Sequence, residues 1–100
     1  MNPDDKVTLE WLMRFEGAVQ SDVTSGNDWY EVVTIQRRGV DNLGINGRKY
    51  YSKPNNEYVM MVELRCTGGF LTFPNPTIAR FHEAVAFLGA TLPPLRPGEA

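Results

Sequence analysis

From Val7 to Glu16 every odd position is apolar (Val7, Leu9, Trp11, Met13, Phe15) and the even ones are polar except Leu12. A period of two marks a half-buried strand, and at 100° per residue these side chains scatter around a helix. The spacing therefore predicts a strand over 7–16, with a helix as the alternative because Leu, Glu, Met and Arg are good helix formers. Gly17 marks a bend or bulge. The stretch 21–28 is rich in Ser, Thr, Gly, Asn and Asp, which favour turns, and predicts a connecting loop. Trp29 to Gln36 is dense in aromatic and β-branched residues. Trp29, Val33 and Ile35 share one face and Tyr30, Val32 and Thr34 the other, so this strand belongs in the interior of a sheet.

Asn46-Gly47 tolerates positive φ at two successive positions and predicts a type I′ hairpin turn, which makes the surrounding segment a protruding ribbon. Lys53-Pro54-Asn55-Asn56 predicts the next turn. Tyr58 to Cys66 is the longest strand-like run, with Tyr58, Met60, Val62, Leu64 and Cys66 on one face. Its other face passes from Val59 and Met61 to Glu63 and Arg65. Thr67-Gly68-Gly69 reverses the chain into a short strand, Phe70 to Phe73, which stops at Pro74.

A helix follows, with Asn75 expected as N-cap, Pro76 at its first position and Gly89 just past its end. Ile78, Phe81, Val85 and Leu88 fall within a stripe of about 80° that must lie on the sheet. Phe87 projects on the far side with Arg80 and Glu83, either covered by the tail Thr91-Leu92-Pro93-Pro94-Leu95 or offered to a partner. Consecutive prolines keep that tail extended. The predicted fold is α+β: a mainly antiparallel sheet of four or five strands with one C-terminal helix packed on one face. Residues 1–90 form a single domain and 91–100 an extended Pro-containing tail.

Composition agrees, since 100 residues at 42% hydrophobic and 22% charged suit one domain with one core. The single Cys66 excludes an internal disulfide. No apolar run reaches membrane-spanning length, and the acidic start Met1-Asn2-Pro3-Asp4-Asp5 is unlike a secretory signal, so the expected compartment is the cytoplasm, with no membrane association.

Charge changes the picture locally. Five of the ten Lys and Arg (Arg37, Arg38, Arg48, Lys49, Lys53) lie between 37 and 53 against one acid, Asp41, which leaves five bases and eleven acids elsewhere. Tyr50 and Tyr51 lie among them. Such a ribbon can neutralise phosphates or carboxylates while a tyrosine stacks or anchors. It can equally be a solvated edge, where Lys and Arg oppose aggregation.

Catalytic chemistry is sparsely represented. One Cys and one His cannot close a zinc site, the serines lack a nucleophile elbow, and the carboxylates lack calcium-loop spacing. No metal or cofactor is implied. His82, at the border of the apolar stripe, reads as a partly covered structural histidine, and a Cys66/His82 nucleophilic pair lacks any local signature. An enzyme would have to use scattered carboxylates such as Asp28, Glu31 and Glu63, or Cys66.

The expected function is a noncatalytic protein-binding module: an inhibitor, adaptor or small subunit of a larger assembly, of the phage accessory type, with another protein or a second copy as partner. Its candidate contacts are Arg37, Arg38, Arg48, Lys49, Tyr50, Tyr51, Lys53 and Phe87. The alternative is single-stranded nucleic-acid binding through the ribbon 37–53. Several strands followed by one C-terminal helix is similar in order to a family of small single-stranded DNA binders, a resemblance of element order that involves no shared motif.

Overall fold

Tight connections dictate the topology. Strands joined by a few residues can only lie side by side and antiparallel. The computed structural model describes residues 2–25, 28–37 and 42–99. In chain order it has α1 (Leu9–Leu12), β1 (Val19–Ser25), β2 (Asp28–Arg37), β3 (Leu43–Ser52), β4 (Glu57–Cys66), β5 (Gly69–Pro74) and α2 (Ile78–Phe87). The five strands form one antiparallel meander in the order β1-β2-β3-β4-β5. No helix among the described residues is long and apolar enough to cross a membrane.

Both helices lie on one face of this sheet. Val33, Ile35, Ile45, Val62 and Leu64 meet Leu12, Trp11, Phe81 and Val85 in a single core. Trp11 sits at its centre, its ring edge-on to Phe15 and to Phe81 at 5.2 Å each. The α2 stripe is as expected: Ile78, Phe81, Val85 and Leu88 are all buried. Gly89 adopts φ +70 just past the Leu88 C-cap, the left-handed conformation that glycine adopts without strain.

Four local expectations are corrected. Residues 7–16 are not a strand: Thr8 caps a single helical turn by accepting from the Trp11 amide at 3.1 Å, and further turns carry the chain to Ala18. The spacing of three in Leu9, Leu12 and Phe15 decides this segment. The alternation is incidental to it. The expected loop 21–28 is largely strand, since β1 runs to Ser25 and pairs with β2 from Val19↔Thr34 to Ser25↔Asp28. Asn46-Gly47 is no hairpin but the middle of β3, paired with β2 on one side and β4 on the other. Glycine is required there for a different reason: a Cβ at Gly47 would run into Leu12 Cδ1 and stand 2.8 Å from Met60 Cε. The hole left by the missing side chain is where α1 seats on the sheet.

The fourth correction concerns the start of α2. Its N-cap is Thr77, whose side chain accepts from Arg80 N at 3.1 Å. Asn75 instead takes φ 45 and clamps β4, accepting from Met60 N at 2.9 Å and donating its own amide to the Met60 carbonyl at 2.6 Å. Two strong competitors for capping, Asn75 and Thr77, lie within three residues, and the local sequence does not rank them.

The tail avoids Phe87 and docks at the other end of the chain. Leu95 bridges to Phe15, and Glu16 N donates to the Pro94 carbonyl at 2.8 Å. The Arg96 Nε–H donates to the Met13 and Phe15 carbonyls at 3.0 and 3.2 Å, and its terminal nitrogen reaches the Ala18 carbonyl. Met13 caps the end of α1 and the Phe15 carbonyl also accepts from Ala18 N, so Arg96 braces the turns that follow α1.

Candidate interaction face

Since α1, α2 and the tail all sit on one side, the described residues leave the other side of the sheet open. Strict alternation along each strand decides what it presents. One cross-strand row is Ser21, Val32, Arg48, Met61 and Pro74; the next is Val19, Thr34, Asn46, Glu63 and Thr72; the last is Gln36, Gly44, Arg65 and Phe70. Tyr50 stands opposite Val59 on the same face. Val32 and Val59 are buried, while Tyr30, Arg48, Tyr50 and Met61 are half-buried around them. At the margins, Val19 is 60% and Phe70 53% exposed.

Toward its Gln36, Gly44 and Arg65 end the face holds a shallow depression of about 200 Å³, lined also by Thr34, Ile45, Asn46 and Glu63. Gly44 supplies its floor because nothing projects there. Asn46 Oδ1 is buried in this region without a hydrogen-bond partner among the described residues. Such an acceptor costs about 1–3 kcal/mol when left unmade. Glu63 and Arg65 pair at 3.4 Å, and the Arg65 guanidinium lies over the Phe70 ring at 5.2 Å. Among the side chains described on this face, Arg48 and Arg65 stand against Glu57 and Glu63.

The basic segment, compact in sequence, is dispersed in space. Arg48 and Tyr50 belong to the open face, but Lys49 and Tyr51 point to the helix side by alternation. There Lys49 Nζ lies 5.2 Å over the Tyr58 ring, the Tyr51 ring meets Tyr58 edge-on at 5.3 Å, and the Tyr51 hydroxyl donates to Asn56 Oδ1. Arg37 ends β2 opposite Leu43, and Lys53 follows the far end of β3. At about 3.4 Å per residue those two ends are roughly 30 Å apart. Arg38 lies outside the described residues. Phe87 is 79% exposed on α2, on the helix side and away from the tail.

Residues absent from the expected contact set hold most of the open face: Tyr30, Val32, Val59, Met61, Glu63, Arg65 and Phe70. Their signal was the second apolar face of Trp29–Gln36 and the Val59, Met61 end of Tyr58–Cys66.

The possible nucleophilic pair is not assembled. Cys66 Sγ lies 3.6 Å from the Leu88 carbonyl, whereas His82, six residues or about 9 Å of helix earlier, is exposed with its ring edge-on to Trp11 at 5.8 Å. No group of three His, Cys, Asp or Glu side chains among the described residues is placed to hold a metal ion. Comparison with protein-family models, with curated proteins and with solved structures gave no match.

Proposed function

We propose that this chain is a noncatalytic protein-binding module, an inhibitor, adaptor or small subunit of a larger assembly, and that the open sheet face is its contact surface. One observation carries this: an uncovered face of which one half is apolar and aromatic (Val32, Val59, Met61, Tyr30, Tyr50), with Arg48 within it and the Glu63–Arg65 pair beyond it. Interface cores have this composition, with aromatic residues, Met and Arg enriched and charge kept to the rim. Affinity for a polyanion needs several cations converging on one track. The separation of Arg37, Arg48, Lys49 and Lys53 over two faces and two ends of the sheet weighs against that alternative. The proposed compartment is the cytoplasm, in keeping with Cys66 as a free thiol.

Quantitative capture from native lysate tests this function. The wild-type chain is expected to retain a defined protein that Met61→Asp and Arg48→Glu lose and Lys53→Glu keeps. Capture indifferent to both open-face substitutions contradicts the proposal. So does salt-sensitive oligonucleotide binding that disappears when Arg48 and Lys49 are replaced by Ala.

A further inference from the structure

Two glycines interrupt β3, and the chain's own packing accounts for only one of them. Gly47 makes room for Leu12. At Gly44 a Cβ would meet only the Arg65 carbonyl among the described residues, at an ordinary contact distance of 3.8 Å, and the backbone there is not left-handed. A glycine inside a strand weakens it, and where no internal contact requires the gap it marks a place that another molecule approaches closely.

Two residues on, the same face carries a second cost. Asn46 lies in the central strand of five, opposite Thr34 on one side and Glu63 on the other, where asparagine is disfavoured. Its Oδ1 is shut off from solvent and accepts no hydrogen bond among the described residues. Buried acceptors are nearly always paired, because an unmade one forfeits the hydrogen bond that water gives it in the unfolded chain. The χ2 torsion of asparagine is broad, so a rotation of the amide turns this oxygen into the depression that Asn46 lines. A gap without a filler and an acceptor without a donor therefore adjoin in one place.

The size and polarity of the depression define what fits. At about 200 Å³ it is smaller than the roughly 300–1,000 Å³ of small-molecule sites and holds a single side chain. Half-buried Glu63 is paired with exposed Arg65 at 3.4 Å, so the depression has no net charge for an ion to answer, and Thr34 and Gln36 add neutral polar groups. A carboxamide complements this lining, since it carries two N–H donors and an accepting oxygen in one plane. We propose that the depression over Gly44 is the socket for a carboxamide side chain, glutamine or asparagine, of the protein that docks on the open face; this rests on the reading of that face as a contact surface. One N–H of the carboxamide donates to Asn46 Oδ1, and its carbonyl accepts from the Arg65 guanidinium. The apolar half of the face supplies contact area, while the socket fixes the partner's register, because a side chain of the same shape without the donor leaves Asn46 unpaired.

NMR of the intact, nitrogen-labelled chain tests the socket without the partner, through the Gly44 main-chain amide and the Asn46 side-chain amide signals. Acetyl-glutamine methylamide is expected to shift both, saturating on the order of 10 mM. Acetyl-glutamate methylamide and acetyl-arginine methylamide carry the same main-chain groups and are expected to bind about tenfold more weakly. Gly44→Val, which fills the gap where a Cβ is tolerated, and Asn46→Val, which removes the acceptor, are each expected to abolish the response at the remaining signal. Asn46→Val is also expected to raise the urea midpoint, since the unpaired oxygen is gone and valine suits a strand. Wild-type signals that do not move overturn the proposal. So does a glutamate or arginine probe that binds as well as the glutamine one, binding retained by both variants, or an Asn46→Val chain less stable than wild type. The titration reads the socket alone and lysate capture reads the face as a whole, so a face that captures its partner yet ignores the glutamine probe rejects the socket and leaves the face standing.

Discussion

Gly47 shows how one missing side chain couples two elements. Its position in β3 faces α1, and Leu12, fully buried, occupies the space a Cβ would take. Leu12 has no free volume to retreat into, so Gly47→Ala is expected to cost about 1–3 kcal/mol, the usual penalty of overpacking. Its own gain in strand propensity does not offset this. Equilibrium unfolding in urea checks it, with a lowered midpoint expected and an unchanged or raised midpoint contrary. The pair Asn46-Gly47 also marks what local sequence leaves open. Asn-Gly is a strong turn signal because of its backbone freedom, but the same glycine satisfies a close approach from a segment thirty-five residues away. Only the position of Leu12 distinguishes the two uses.

At the scale of elements, what was legible followed from patterns that a single segment completes by itself. The α2 stripe is fixed by its own spacing, and the strand 58–66 by its own alternation. Residues 7–16 are different, because Leu9, Leu12 and Phe15 make sense as successive turns only against the groove over Gly47 and with the tail alongside. That turn is too short to stand alone, and Arg96 secures it through three main-chain carbonyls. Hydrogen bonds from a charged donor are worth about 1.5–3 kcal/mol, so Arg96→Ala is expected to destabilise the fold by that order. Arg96→Lys is expected to recover little, since an ammonium lacks the planar fork that reaches several carbonyls. Urea unfolding of both variants is the check; a lysine variant as stable as wild type would mean that charge alone holds the tail.

For the whole molecule, the arrangement of faces matters more than the linear run of charge. Seventeen residues of sequence gather half the positive charge, yet a ten-residue strand alternates its side chains between two faces and separates its ends by roughly 30 Å. Among the described residues the run therefore forms no single patch. The apolar character of the second face was legible in Val32, Tyr30, Val59 and Met61. That it stays uncovered depends on where both helices and the tail go, which no local pattern states. The open face is the surface we propose for a protein partner.

Hydroxyl-radical footprinting of the chain, alone and in its captured assembly, tests the open face most directly, since Met and aromatic side chains there are reactive reporters. Tyr30, Tyr50, Met61 and Phe70 are expected to lose labelling in the assembly while Tyr51 and Tyr58, on the helix side, keep theirs. Unchanged labelling at Met61 and Tyr50, with protection at Tyr51 and Tyr58 instead, would contradict the assignment of the open face as the contact surface.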